Sequence, residues 1–177
     1  VAEGSTGGGN GMICYEFKGG TATASRQLKL GGETYTLGAL VQANHGIRPW
    51  LNVLGKAVGE LMPEERLIEQ ETGSIIVILG TDAPLSSLAL RQTAKRAAIG
   101  VGRGGSPGGN SSGDIFLAFS VANDHPMPQQ DEAILQRTEL NSELLDPFYL
   151  ATVEAVEEAV VNAIVAGEDA ETVKPVG

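Results

Sequence analysis

The apolar positions of this chain change their spacing several times, and each change predicts an element. Residues 12–18 (MICYEFK), 21–30 (TATASRQLKL) and 33–44 (ETYTLGALVQAN) are strand-like and are separated by the pairs Gly19-Gly20 and Gly31-Gly32. Glycine reaches positive φ without a Cβ clash, so such pairs suit tight hairpin turns, and the three segments predict an antiparallel meander. Residues 50–61 (WLNVLGKAVGEL) fit either a helix or a surface loop, and Pro63-Glu64-Glu65-Arg66 breaks the pattern. Residues 74–80 (SIIVILG) and 115–121 (IFLAFSV) are continuous apolar runs, which predicts two buried strands, the first covered on both faces.

Two stretches carry a helical period. Pro84 opens the first, behind Thr81 and Asp82 as capping residues, and Leu90, Ala94, Ala97, Ala98 and Val101 fall on one narrow face. A loop with Pro126 and Pro128 precedes the second. There Asp146 is the expected cap, Pro147 takes the first turn, Tyr149, Val153, Val156, Val160 and Ile164 share a face, and Gly167 closes the helix. Strands in two groups and at least two amphipathic helices predict an α+β layered fold, sheets with helices on the outside. The length of 177 residues suits one domain, and there is no internal repeat.

Composition narrows the functional classes. With 42% hydrophobic and 19% charged residues the chain is globular, and no apolar run approaches the roughly 18 residues a membrane span needs. Twelve Lys and Arg against 22 Asp and Glu give a net charge of −10 with no basic stretch, which argues against nucleic acid and anionic membranes as partners. The single Cys14 forms no internal disulfide, and no Cys/His cluster suits zinc. No metal or organic cofactor is expected. One cysteine favours the cytoplasm and equally allows the periplasm. The chain opens at Val1 and not Met, which predicts a processed or partial chain, so a removed signal peptide is allowed. Glycine is the outlier: 24 residues, roughly twice the usual share, concentrated in 4–11 (GSTGGGNG) and 100–113 (GVGRGGSPGGNSSG).

Three places hold candidate chemistry. At Gly73-Ser74 a charged, flexible stretch meets the start of a buried strand, a context for a self-processing serine. The hydroxyl attacks the preceding carbonyl, glycine tolerates the bent backbone, and the freed Ser74 amine, with an ordinary pKa of about 7.7–8.0, serves as local base. Taken alone, the dipeptide reads first as a plain Gly-Ser turn. In Gly108-Gly109-Asn110-Ser111-Ser112-Gly113-Asp114, glycine allows close approach of a ligand, while Asp114 can orient Ser112 or pair with a substrate ammonium. Taken alone, this segment reads first as an ordinary hairpin loop. The third place is Asn44-His45-Gly46, where the Asn amide suits an oxyanion donor. His45 invites a triad with Ser74 and Asp82 or Asp114, but no G-x-S-x-G elbow surrounds Ser74, so a structural role fits it better. His125, in a Pro-bounded acidic loop, has no partner pattern. The run Gly100-x-Gly102-x-Gly104-Gly105 suggests phosphate binding, yet it follows a helix where a dinucleotide fingerprint precedes one.

The ordered segments EGSTGGGNGMICYEFKGGTATASR (3–26), LGALVQANHG (37–46), GSIIVILGTDAPL (73–85), RAAIGVGRGGSPGGNSSGDIFLAFS (96–120) and DPFYLATVEAVEEAVVNAI (146–164) together resemble the family of the L-aminopeptidase/D-amidase/D-esterase and the β-peptidyl aminopeptidases. The resemblance implies a self-cleaving N-terminal-nucleophile hydrolase with an αββα sandwich, similar to the Ntn fold but differently connected, and only partly present here. It implies cleavage at Gly73–Ser74 into segments 1–73 and 74–177, Ser74 as nucleophile, Asn44 in the oxyanion hole, and Ser112 with Asp114 as the supporting pair. The β-peptidyl members carry Glu where Asp114 stands, one methylene longer. Family members are longer, with a segment before EGSTGGG that supplies strands and part of the substrate pocket, so this chain is expected to be the C-terminal part. The implied activity is release of N-terminal residues from short peptides, amides or esters through an acyl-enzyme on Ser74, in a homo-oligomer of processed pairs. The alternative is an inactive or truncated homologue whose glycine loops hold a small ligand.

Overall fold

The computed structural model describes residues 1–64, 66–124 and 133–168; the loop with His125, Pro126 and Pro128 lies outside them. Strands β1 (Ile13–Cys14) and β2 (Phe17–Lys18) form a small hairpin of their own. Strands β3 (Gly20–Leu30), β4 (Glu33–Asn44), β5 (Ser74–Thr81) and β6 (Ile115–Ser120) form one sheet in chain order. The β3–β4 and β4–β5 pairs are antiparallel. The β5–β6 pair is parallel, because helix α1 (Ser87–Arg103) crosses between them. Helix α2 (Asp146–Val165) closes the described fold.

The Gly31-Gly32 turn is as expected: both residues have positive φ (62° and 89°) and join Leu30 to Glu33 in a two-residue hairpin loop. Residues 12–18 differ from the predicted meander strand. Tyr15 and Glu16 adopt φ of 49° and 65° and fold the segment back on itself, so Gly20 opens β3 and makes no turn. Residues 50–61 are loop with 3₁₀ turns at Arg48–Trp50 and Val58–Leu61.

Helix α1 starts later than predicted. The Ser86 hydroxyl accepts the Ala89 amide at 3.2 Å as the cap. Thr81 and Asp82 are engaged elsewhere: Thr81 Oγ1 donates to the Thr36 carbonyl at 2.7 Å, and Asp82 Oδ1 accepts the Thr36 amide at 2.8 Å. In α2, Leu145 is the N-cap and no side chain caps the end, so Asp146 lies in the first turn with Pro147, where its charge suits the helix dipole.

Both helices cover one face of the sheet. Leu37, Val41, Ile75, Val77 and Leu79 are buried there against Phe148, Val156 and Val160 of α2. The crossing of α1 over α2 is close, since a Cβ on Gly100 would come within 2.8 Å of the Val156 Cβ. The opposite face is open among the described residues. Burial alternates along β5 and β6, and Ile115, Leu117 and Phe119 stand about half exposed. The two apolar runs are therefore not buried on both faces here. The α+β class holds, and the described residues supply one helix layer and one sheet of the expected sandwich.

Candidate active site

The register of β4 against β5 sets the first contact. Asn44, last in β4, pairs with Ser74, first in β5. Gly73 lies so tightly on the Asn44 carbonyl that an added Cβ would approach its oxygen to 2.0 Å. No Cβ fits at Gly73, whose φ lies outside the left-handed region, so glycine is required there for space. The Asn44 Oδ1 accepts the Ile13 amide at 3.0 Å, which commits the side-chain oxygen and leaves the NH₂ as donor.

The parallel pairing of β6 with β5 brings in the second group. The Gly113 amide donates to Ser74 Oγ at 2.8 Å, and Asp114 Oδ1 accepts the Ile75 amide at 3.0 Å. Ser112 donates its hydroxyl proton to the same Asp114 oxygen. Asp114 also borders a cavity of about 450 Å³ with Ser106, Gly108 and Phe116. The structure thus gathers Asn44, Gly73, Ser74, Ser112 and Asp114 at one end of the sheet.

A buried polar layer underlies them. The β1–β2 turn puts Tyr15 in the core, where its hydroxyl accepts the Ser106 amide at 3.1 Å and its ring meets the His45 ring edge-on at 5.1 Å. Cys14 Sγ lies 3.9 Å from His45 Nδ1. Burial pushes both the Cys14 thiol and the Tyr15 phenol up, with the His45 backbone opposing at Cys14, so both stay protonated at neutral pH. Burial lowers His45 to about 4 against the pull of the Asp114 charge, so its ring is neutral. Its Nε2 is buried without a hydrogen-bond partner among the described residues. The glycine-rich loop is supported from below: Gly105 (φ 108°) lies against the Trp50 carbonyl, and the Asn52 amide donates to the Gly104 carbonyl at 2.9 Å.

His45 forms no triad. Asp82 lies just beyond the far end of β5, about 26 Å along the strand direction from Ser74, and His45 is packed on Tyr15 and Cys14. Gly100 and Gly102 are inside the last turns of α1, the negative end of a helix dipole, which disfavours phosphate. Sequence reasoning missed Tyr15, Ser106 and Glu71. Glu71 is buried, accepts the Gly73 amide at 2.7 Å, and stands two residues before the junction, the one signal that marked it.

A family model for peptidase family S58 matches residues 1–176. A beta-peptidyl aminopeptidase of Sphingosinicella microcystinivorans is 46% identical over 183 residues, covering 95% of this chain and 46% of the relative. The solved L-aminopeptidase D-Ala-esterase/amidase of Ochrobactrum anthropi, described as a variant of the Ntn hydrolase fold, superposes with a TM-score of 0.91 at 52% identity, over 99% of this chain and 48% of that one. A Burkholderia beta-aminopeptidase superposes with a TM-score of 0.86 at 45% identity, over 97% and 49%. The chain spans about half the length of the curated relatives it matches.

Proposed function

The chain belongs to peptidase family S58, and from that premise we propose that it is the nucleophile-bearing part of a self-processing serine aminopeptidase or amidase. Cleavage at Gly73–Ser74 divides it, with 1–73 as the end of the segment before the cut and 74–177 as the segment that begins with the nucleophile. The processed enzyme releases N-terminal residues from short peptides, amides or esters through an acyl-enzyme on Ser74. A non-catalytic ligand-binding role is disfavoured by membership of a peptidase family.

The observation that carries this reading is the set of contacts on Ser74. Gly113 donates to Oγ, so the hydroxyl proton is free to leave and the developing alkoxide already has a donor. In self-cleavage Oγ adds to the Gly73 carbonyl, the C–N bond breaks with the proton going to the Ser74 nitrogen, and water hydrolyses the ester. In turnover the freed Ser74 amine takes the Oγ proton and returns it to the leaving group. Asn44 supplies an NH₂ to the oxyanion, and Asp114, held by Ile75 and Ser112, fixes this end of β5 and offers a carboxylate beside the new amine. The substrates are small peptides, amides and esters. The assembly is a homo-oligomer of processed pairs, in the cytoplasm or periplasm; among the described residues no helix is long and apolar enough to cross a membrane.

A denaturing gel with N-terminal sequencing of the full-length protein tests the reading. Two pieces, one beginning SIIVILG, are expected, with Ser74→Ala uncut and inactive on an aminoacyl p-nitroanilide. A wild type that stays in one piece overturns it.

A further inference from the structure

Glu71 is a buried carboxylate at the junction to which the chemistry above gives no task. Its Oε1 accepts the Gly73 amide at 2.7 Å, closing a turn over Thr72. Its Oε2 is buried with no hydrogen-bond partner among the described residues. Its stem rests on the glycine-rich loop, where a Cβ on Gly109 would come within 3.3 Å of Cγ. Just upstream the chain is tied down. Glu16 accepts the Leu67 amide at 2.5 Å and the Ile68 amide at 3.5 Å, and pairs with Arg66 at 3.5 Å. Residues 69–73 are thus a short arm anchored at 68 and fastened into the site by Glu71.

We propose that Glu71 is a clasp: it holds the 69–73 arm over Ser74 while the Gly73–Ser74 bond is intact and drives the arm out once that bond is cut. The inference rests on the self-cleavage reading. Cleavage consumes one water; once the acyl shift to Ser74 Oγ has broken the C–N bond, the water oxygen joins the Gly73 carbonyl carbon as the ester bond to Oγ breaks, leaving Gly73 a carboxylate and Ser74 an ammonium. The new carboxylate sits on the residue whose amide Glu71 already holds, so covalent geometry brings two anions within about 5 Å. Neither gains a donor from Glu71 Oε2, which has none. The Ser74 ammonium compensates only until it gives up its proton to act as a base. Like charges at this separation in a partly buried site repel with little screening. The arm leaves, and the space under Asn44 and beside Gly109 passes to the acyl part of a substrate, whose carbonyl must occupy the place of the Gly73 carbonyl to reach Ser74 Oγ. In the uncut chain the same arm is an autoinhibitor.

Hydrogen–deuterium exchange and carboxypeptidase trimming of the full-length protein, followed by mass spectrometry, test this. Residues 69–73 are expected to be protected in uncut Ser74→Ala and to exchange at least tenfold faster in the processed wild type, with its new end trimmed. Glu71→Gln keeps an acceptor for the Gly73 amide but no charge. It is expected to cut itself, trim about tenfold more slowly, and show a KM for an aminoacyl p-nitroanilide raised about tenfold at unchanged kcat. Equal protection of 69–73 in the processed wild type and Ser74→Ala overturns the clasp, and this comparison stands even where Glu71→Gln fails to fold. Trimming and KM unchanged in a folded Glu71→Gln overturn it as well. A wild type that is never cut overturns the self-cleavage reading itself, a result distinct from a cut protein whose arm stays in place.

Discussion

The two faces of the four-stranded sheet carry similar residues and meet different neighbours. On one, Val41, Ile75, Val77 and Leu79 are sealed by α1 and α2. On the other, Ile115, Leu117 and Phe119 stand about half exposed, and Ser74 shares the register rows of that face with Ile76 and Ile78. Apolar sequence on a strand records what the strand needs covered, and the helices of this chain meet half of that need. The candidate chemistry sits at the rim between the faces, where a sealed core fixes the backbone and an open side admits a substrate.

The sealed face gives the largest expected effect. Val77→Asp places an unpaired charge where Val77 is fully buried, and about 4 kcal/mol of stability should disappear in urea unfolding. A loss below about 1 kcal/mol would show the helix layer to be loosely held. At the rim, Asn44→Ala in the processed full-length enzyme should lower kcat by about 10²–10³ while the chain still folds, read by steady-state kinetics and circular dichroism. An unchanged kcat would remove Asn44 from the oxyanion site.

Below the rim, His45 should show itself through pH. Its folded pKa of about 4 is depressed by burial from the ordinary 6.5, so the unfolded chain takes up the proton first. The neutral ring's contribution is fully present above about pH 6.5 and is lost as pH falls toward 4, a change of about 3 kcal/mol. The stability difference between wild type and His45→Gln should shrink over that window, and a flat difference would mean that the ring is solvated. The smallest effect belongs to the open face. Leu117→Asp in the 1–177 chain should cost less than about 0.5 kcal/mol, since Leu117 is 53% exposed. In the full-length protein, where the sandwich reading lays a second sheet on this face, the same change should cost about 2 kcal/mol or more. Equal costs in the two settings would leave that face uncovered.

Where the sequence was legible, a local rule and the global fold agreed. The Gly31-Gly32 hairpin and the Pro147 helix start needed only neighbours in the chain, while Asn44, Ser74, Ser112 and Asp114, named through the family resemblance, lie at one end of the sheet. What stayed hidden depends on distant contacts. The burial of β5 and β6 depends on which layers are present, a fact that apolar runs do not carry. The β1–β2 turn was hidden because Tyr15 and Glu16 are poor residues for positive φ, and only core contacts hold them there. Thr81 and Asp82 look like caps, but pairing with β4 claimed them first.

That turn has a cost and a return. A glycine at either position would relax a backbone that tyrosine and glutamate hold at about 1–2 kcal/mol per residue of strain. Yet Tyr15 fastens the loop after the junction through Ser106, and Glu16 fastens the segment before it through Leu67 and Ile68. Two adjacent residues therefore act as a common ruler for both sides of one bond. An engineer seeking thermostability by the usual exchange to glycine would gain a softer turn and lose the alignment of the two halves.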